Sequence, residues 1–246
     1  MKYSILNNVG NLTANIMLGK CNFLLKNSRS YLIITTLRKI IMLELNDIKY
    51  FNPSDKPFGL SYGAWTVKWW QWIWSIPDAT NPLNDQTGKN ASINQPEKDV
   101  WFLAGTWATE KLLNIPNREV TISADRAILF PVINCEANPV EYPYLKTNED
   151  IINHVIRDEN TIVLKEAFIN DTAIPIQRVS SDPTLFPLRV IDKNNDNNKY
   201  TDTQASADGY WVFLKPLPKG EYNINFRGAC ELGRLNTASN YRLLIQ

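Results

Sequence analysis

Carboxylate side chains are the residues of this sequence that could most directly do chemistry. Asp85 lies in a loop after a Trp-rich segment, Glu136 follows a strand-like apolar run, and Asp208 begins the segment Asp-Gly-Tyr-Trp. Two carboxyl groups about 5–9 Å apart, one with a pKa raised by burial, can cleave a glycosidic bond. The sequence allows a hydrolase that uses Asp85 with Glu136 or Asp208. In the alternative, Asp85 and Asp208 cap turns and Glu136 pairs with a base such as Arg126.

Tryptophan rings offer a second kind of chemistry, since an exposed indole can stack on a sugar ring or lie at a membrane interface. Segment 61–76 predicts a helix that is apolar on nearly all sides, with a polar edge of Lys68, Gln71 and Ser75. Such a helix must be covered on nearly all sides, across a sheet and under a loop. Its rings are therefore predicted to be core, and the alternative is a ligand-binding platform formed by Trp69, Trp72, Trp74 and Asp85.

A polar loop carries oxygen ligands at alternate positions, which is the spacing of the first half of a calcium loop. These residues are Asp192, Asn194, Asp196 and Asn198. The sixth position is Asn197 rather than Gly, and the twelfth is Thr203 rather than a bidentate Glu. The pattern favours a solvated loop, with a weak Ca²⁺ site as the alternative, and no other cofactor is expected.

The histidine and cysteine content limits the reaction classes further. His154 is the only histidine, so metal sites with several histidines are excluded. It is predicted on the surface of a helix over residues 148–159. Cys135 and Cys230 are expected either to form a disulfide, if the protein is exported, or to be two buried free thiols.

Net charge separates the chain into two parts. The 246 residues carry a formal charge of +1, but residues 1–43 contain six Lys and Arg and no Asp or Glu. The remainder has 20 basic and 25 acidic residues, which argues against nucleic acid as its partner. The basic segment 1–43 is interpreted as disordered, as targeting-like, or as sequence upstream of a true start at Met42. Its longest apolar stretch, residues 31–37, is too short for a transmembrane helix.

The elements that must position these residues are mainly β. Many short apolar runs, separated by Pro, Gly, Asn and Asp, predict a two-sheet β-sandwich of jelly-roll or immunoglobulin-like type over residues 44–246. The predicted strands include residues 162–169 and 209–214, with a polar loop over residues 192–207 before the second of these. The Trp-rich helix 61–76 and the short helix 148–159 complete this domain. Pro131, inside a predicted strand over residues 127–134, indicates an edge strand or a bulge.

Several motifs together carry a resemblance. The chain resembles an uncharacterised group of predicted secreted proteins of bacteria and archaea over residues 58–246. The motifs are Trp69-Trp-Gln-Trp72, Asn81-Pro-Leu-Asn-Asp85, Val100-Trp-Phe-Leu-Ala-Gly-Thr106, Leu129-Phe-Pro-Val-Ile-Asn134 and Asp208-Gly-Tyr-Trp211. The resemblance implies an extracytoplasmic location and assigns no catalytic residue.

These observations lead to three functional hypotheses. The first is a non-enzymatic, extracytoplasmic module that binds a carbohydrate or a cell-surface component. The second is a glycosidase-like hydrolase, and the third is a structural surface or assembly protein. A start at Met42 would instead predict a cytoplasmic protein.

Overall fold

Two β-sheets and two α-helices form the part of the chain that the computed structural model describes, residues 48–107, 114–191, 200–231 and 236–246. The mainly β architecture and the Trp-rich helix confirm the sequence-based prediction of fold class. Residues 1–43 and the candidate calcium ligands Asp192, Asn194, Asp196 and Asn198 lie outside the described residues. None of the helices in the described part has the length and apolar character needed to cross a membrane.

The helices are α1 (Tyr62–Trp74) and α2 (Asn148–Glu159). The strands in chain order are β1 (Val100–Phe102), β2 (Asn117–Ile122), β3 (Ala127–Ala137), β4 (Ile162–Ile169), β5 (Thr172–Ala173), β6 (Gln177–Arg178), β7 (Phe186–Ile191), β8 (Tyr200–Leu214), β9 (Gly220–Cys230) and β10 (Asn236–Ile245). Sheet 1 has the order β1-β3-β8-β6, with β7 also paired to β8, and sheet 2 has the order β2-β10-β9-β4-β5. Parallel pairs β1–β3 and β2–β10 make both sheets mixed.

Helix α1 lies across one face of sheet 1. Its first turn is capped by Ser61, whose hydroxyl oxygen accepts a hydrogen bond from the backbone N–H of Ala64 at 3.1 Å. Trp69 packs edge-on against Trp211 of β8, with ring centroids 5.5 Å apart. The ring N–H of Trp72 donates to a carbonyl of the 78–98 loop at 2.9 Å. The helix is therefore enclosed between a sheet and a loop, as its all-round apolar surface requires.

The opposite face of sheet 1 packs against sheet 2 and α2. Phe130 of β3 contacts Phe226 of β9, with ring centroids 4.9 Å apart. The sheets approach so closely at Gly228 that an added Cβ would lie 2.5 Å from the Cβ of Ile133. Farther along β3, Ala137 joins Val155 of α2 in a small apolar cluster. Sheet 1 is thus the middle layer, with α1 on one side and sheet 2 plus α2 on the other.

Strand β3 corrects one local prediction. Pro131 does not lie on an edge strand, because β3 pairs with β1 on one side and with β8 on the other. The alternative, a bulge, is confirmed by a register shift between Pro131 and Ile133. Proline has no N–H to donate to the ladder, so the irregularity falls where a regular bond could not form.

Candidate functional site

The indole rings proposed as a sugar-binding platform lie inside the protein. Trp69, Trp72 and Trp74 are 1%, 2% and 6% exposed and belong to one apolar cluster with sheet 1. The ring N–H groups of Trp69 and Trp72 donate to backbone carbonyls at 2.9 Å, and that of Trp74 donates to Glu136 at 3.2 Å. The platform prediction is wrong at these residues, because the rings offer no open face to a ligand. They are core, which is the other interpretation of the segment.

Asp85 anchors the loop that follows α1. Its carboxylate accepts hydrogen bonds from the N–H and hydroxyl of Thr87, at 2.9 and 3.0 Å, and from the N–H of Asn90 at 2.9 Å. Burial alone would raise the pKa of Asp85, but these hydrogen bonds and the charge of Arg118 lower it below its ordinary value. The carboxylate is therefore ionised and engaged with its own loop, as in the turn-capping interpretation.

Glu136 is a buried acid on the α1 side of sheet 1. One oxygen accepts from Trp74, and the other accepts from the side-chain amide of Asn138 at 3.0 Å. The same amide nitrogen donates to Glu141 at 2.9 Å, so two carboxyl groups share it. Burial raises the pKa of Glu136 to about 8, and the nearby charge of Glu141 raises it as well. Glu136 is therefore mainly protonated at neutral pH.

Asp208 lies on the other face of sheet 1. Its Oδ2 accepts hydrogen bonds from the Nη2 and Nε of Arg178 at 2.7 and 3.0 Å. In the β3–β8 register, Asp208 is opposite Cys135 and Glu136 is opposite Ala207. Successive side chains of a strand point to opposite faces, so the carboxyl groups of Glu136 and Asp208 are separated by the sheet itself. They cannot flank the same scissile bond.

The hydrolase hypothesis requires the carboxyl group of Asp85 to lie close to that of Glu136 or Asp208. The hydrogen bonds of Asp85 stay within its loop, and its backbone carbonyl accepts from Arg118 at 2.7 Å. Glu136 is bonded to α1 and to Asn138, and Asp208 to Arg178. The described residues therefore place the three carboxylates in three separate hydrogen-bond networks.

Helix α2 covers a group of ionisable side chains beside Asp208. Glu159 is 1% exposed, and burial together with the negative charge of Asp208 raises its pKa to about 9. Burial also raises the pKa of the Cys135 thiol, with added effects of Asp158 and Glu159. Among the described residues, no set of three or more His, Cys, Asp or Glu side chains is arranged to hold a metal ion. The carboxyl group of Glu159 and the thiol of Cys135, both neutral, therefore lie near the Asp208–Arg178 pair.

His154 and the cysteines differ in part from expectation. His154 is 6% exposed rather than a surface residue, because the ring of Tyr142 covers it at 4.7 Å between centroids. Arg157 approaches its Nδ1 at 2.9 Å, and Asp158 its Nε2 at 3.3 Å. Cys135 is a free, half-buried thiol, so Cys135 and Cys230 do not form the disulfide of the first alternative. A neutral buried thiol is a poor nucleophile.

The predicted partnership of Glu136 and Arg126 is also absent. The guanidinium group of Arg126 lies over the ring of Trp101, 4.7 Å from its centroid, and donates to the carbonyl of Val100 at 2.6 Å. Glu136 has Asn138 as its polar neighbour instead. Arg126 therefore fixes the edge of β1, and Glu136 is hydrogen-bonded to the uncharged side chains of Trp74 and Asn138.

An open groove of about 660 Å³ lies between the polar edge of α1 and strands β7 and β8. Its lining residues are Gln71, Ser75, Pro187, Leu188, Arg189, Tyr200 and Asp202. The guanidinium of Arg189 lies 5.5 Å from the centroid of the Tyr200 ring, and its Nε is 3.8 Å from a carboxylate oxygen of Asp202. The side chains of Arg189 and Asp202 are 69% and 87% exposed. An aromatic ring, a cation and an anion thus line one groove that is open to solvent.

Sequence analysis identified only one side of this groove. The polar edge of the predicted helix is Lys68, Gln71 and Ser75, and two of these residues, Gln71 and Ser75, line the groove. Tyr200 and Asp202 were placed in a loop, although they occupy alternate positions of β8. Their pairing with Ile191 and Arg189 of β7 is a long-range contact. Residues 200–204 show no regular alternation of apolar and polar side chains, so no local signal in the sequence indicates this part of β8.

The motif residues quoted for the family resemblance have structural partners. Asn81 donates its side-chain amide to the carbonyls of Ile73 and Ile76, at 2.9 and 3.0 Å, and so closes the end of α1. Phe102, of the motif at residues 100–106, both donates to and accepts from the side chain of Gln95 through its backbone, at 2.9 Å each way. No protein-family profile, curated protein sequence or solved structure matches the chain. The function is therefore inferred from the geometry alone.

Proposed function

We propose that this protein is a non-enzymatic β-sandwich module that binds carbohydrate in the groove between α1, β7 and β8. The observation that carries the proposal is the combination, in one open space of about 660 Å³, of the Tyr200 ring with Arg189, Asp202 and Gln71. Small-molecule sites typically have volumes of about 300–1,000 Å³ and combine apolar walls with a few polar groups. The groove therefore has the size and lining of a ligand site.

The chemistry of the lining suits a sugar. A sugar ring has apolar C–H faces and a rim of hydroxyl groups that both donate and accept hydrogen bonds. Tyr200 supplies an aromatic ring for the face. Arg189 offers donors, Asp202 offers acceptors, and the Gln71 amide offers both. Exposure of the two charged side chains means that a ligand meets groups already in water, so binding does not need to break a buried ion pair.

The core beneath the groove supports a preformed site. Gln71 donates its amide to the carbonyl of Pro187 at 3.0 Å, and the hydroxyl of Ser75 donates to the carbonyl of Trp72 at 2.7 Å. These bonds attach the α1 side of the groove to β7 and to the buried tryptophans. Walls that are rigid before binding reduce the entropy lost when a ligand is fixed. The tryptophans thus contribute as a support and not as contact surface.

The proposal is tested by carbohydrate binding of the full chain, first on a glycan array and then by calorimetry with the best oligosaccharide. Tyr200→Ala is expected to weaken binding at least tenfold, about 1.4 kcal/mol, through loss of the stacking face. Asp202→Asn is expected to weaken it less, because an amide still accepts hydrogen bonds.

A matched control is Tyr144→Ala, which removes another exposed tyrosine far from β7 in the chain and leaves the groove intact. Its affinity is expected to equal that of the unaltered protein. Equal affinity in Tyr200→Ala, an equal loss in Tyr144→Ala, or no binding to any glycan would overturn the proposal. The extracytoplasmic location rests on the resemblance of the motifs and stays a prediction, as do the hydrolase and assembly alternatives.

A further inference from the structure

A second cavity, of about 270 Å³, lies under the first described segment of the chain, residues 48–52. This segment runs along the end of β8: Phe51 donates its N–H to the carbonyl of Phe213, and Lys215 donates its N–H to the carbonyl of Lys49, both at 2.9 Å. The ring of Phe51 packs on that of Phe213, with centroids 4.8 Å apart. Backbone bonds and ring packing thus hold one wall of the cavity in place.

The lining of this cavity is aromatic and basic. Its residues are Ile48, Lys49, Tyr50, Phe51, Asn52, Tyr62, Pro175, Gln177, Phe213 and Lys215. Four of these are aromatic and two are lysines, and this described lining includes no Asp or Glu. The ammonium group of Lys215 lies 5.0 Å from the centroid of the Phe51 ring. An apolar cavity with a cationic wall favours a ligand that has a ring and a negative charge.

Tyr62 provides an independent indication of a ligand. Its side chain is 1% exposed, and its hydroxyl group has no hydrogen-bond partner among the described residues. A buried hydroxyl without a partner has lost its hydrogen bonds to water without replacement, so such groups usually mark a missing contact. Burial also raises the pKa of this phenol, so it stays a neutral donor. The hydroxyl belongs to a residue that lines the cavity.

We infer that this cavity binds a small aromatic carboxylate, whose ring lies among the side chains of Tyr50, Phe51 and Phe213 and whose carboxylate is paired with Lys215. The hydroxyl of Tyr62 donates a hydrogen bond to the ligand. The volume, near the lower end of the range for small-molecule sites, restricts the ligand to about one ring with a short side chain. This site is separate from the proposed sugar groove, with which it shares no lining residue.

The test uses the full chain and two probes of the same shape, phenylacetate and its uncharged analogue phenylacetamide, with binding measured by calorimetry and ligand-observed NMR. Phenylacetate is expected to bind at least tenfold more tightly than phenylacetamide. Lys215→Met is expected to reduce this preference at least about fivefold. Tyr62→Phe is expected to weaken phenylacetate binding several-fold without lowering thermal stability, because it removes only a hydroxyl that has no partner.

Lys219→Met is the matched control, since it removes a lysine from the same β8–β9 connection but not from the cavity. It is expected to leave both affinities unchanged, and Tyr200→Ala is expected to do the same. Absence of phenylacetate binding, equal affinity for the amide, or an equal effect of Lys219→Met would overturn the inference. The comparison of two probes on the unaltered protein keeps the test valid if Lys215→Met does not fold.

Discussion

The two faces of sheet 1 show opposite ways of filling a protein interior. The face under α1 is filled with large aromatic rings, and the ring N–H groups of Trp65 and Trp69 donate to backbone carbonyls at 2.8 and 2.9 Å. The face under α2 holds the Asp208–Arg178 ion pair beside buried Glu159 and half-buried Cys135. The first face is stabilised mainly by burial of apolar area, although it also holds the protonated acid Glu136, and the second depends on charge pairing and protonation. The tryptophans are the most conspicuous residues in the sequence, but the strongly shifted pKa values on the α2 face belong to Glu159 and Cys135.

The difference follows from what each side chain loses on leaving water. An indole ring loses only one hydrogen-bonding group, which a single carbonyl can replace. A carboxylate loses far more, so it needs a cationic partner or a proton. Asp208 has Arg178 at 2.7 Å, whereas burial raises the pKa of Glu159 to about 9. Asp208 is thus stabilised in the interior by a cationic partner, and Glu159 by a bound proton.

The largest expected effect concerns the α1 face. Trp69→Ala is expected to lower the free energy of unfolding by about 3–5 kcal/mol, because it removes a fully buried ring and leaves a cavity. Urea denaturation followed by circular dichroism measures this change. The same substitution at Trp107, which is only partly buried against Trp74, is expected to cost less. Equal losses would contradict the distinction between core and periphery on this face.

A smaller effect is expected on the α2 face. Arg178→Met leaves the buried carboxylate of Asp208 without its cation and is expected to cost about 2 kcal/mol. The value is below that of a fully buried pair because the Arg178 side chain is 34% exposed. The control, Arg157→Met, changes a side chain that is 69% exposed and is expected to cost under about 0.5 kcal/mol. If Asp208→Asn did not reduce the cost of Arg178→Met, the pair would not be the cause.

The pH dependence of stability tests the protonation of Glu159 on the α2 face. Burial raises the pKa of Glu159 from its ordinary 4.5 to about 9, so the folded state holds the proton more tightly than the unfolded state. Its contribution to stability is complete below about pH 4.5 and is lost as the pH rises toward 9. Between these limits the slope is up to about 1.4 kcal/mol per pH unit.

Glu159→Gln is expected to remove the contribution of Glu159 and to leave that of Glu136, whose pKa is raised to about 8 by burial. Denaturation at pH 5 and pH 8 is expected to show a variant less sensitive to pH than the unaltered protein. Glu149→Gln, an exposed position in the first turn of the same helix, serves as control and is expected to keep the original pH dependence. An unchanged slope in Glu159→Gln would show that Glu159 is ionised in the folded state.

The smallest effect concerns a rate and not stability. Burial raises the pKa of Cys135, so little thiolate is present at pH 8. In a Cys21→Ser background, labelling of Cys135 by a disulfide reagent is expected to be at least tenfold slower in the folded protein than in urea. Mass spectrometry of peptides separates Cys135 from Cys230. Rapid labelling of Cys135 in the folded protein would contradict a neutral, inert thiol on the α2 face.

The sequence predicted the elements whose pattern is local. Helix α1 was predicted from its apolar spacing, and β4 was predicted at residues 162–169, which are its observed bounds. Strand β8 was predicted only from residue 209, although it begins at Tyr200. Its first half is polar and is stabilised by pairing with β7, a contact that a local pattern does not reveal. Hydrophobic periodicity identifies an element but does not identify its partner.

By itself, the sequence determined the fold class, the Trp-rich helix and its need to be covered on all sides. Those properties follow from side-chain polarity along a few turns or strand residues. Only the tertiary structure decided which groups share a space: the separation of Glu136 from Asp208 by a sheet, the groove at Tyr200 and the cavity beside Tyr62. The physical reason is that a carboxyl pKa, an ion pair or a ligand site depends on neighbours brought together by strand register and layer packing.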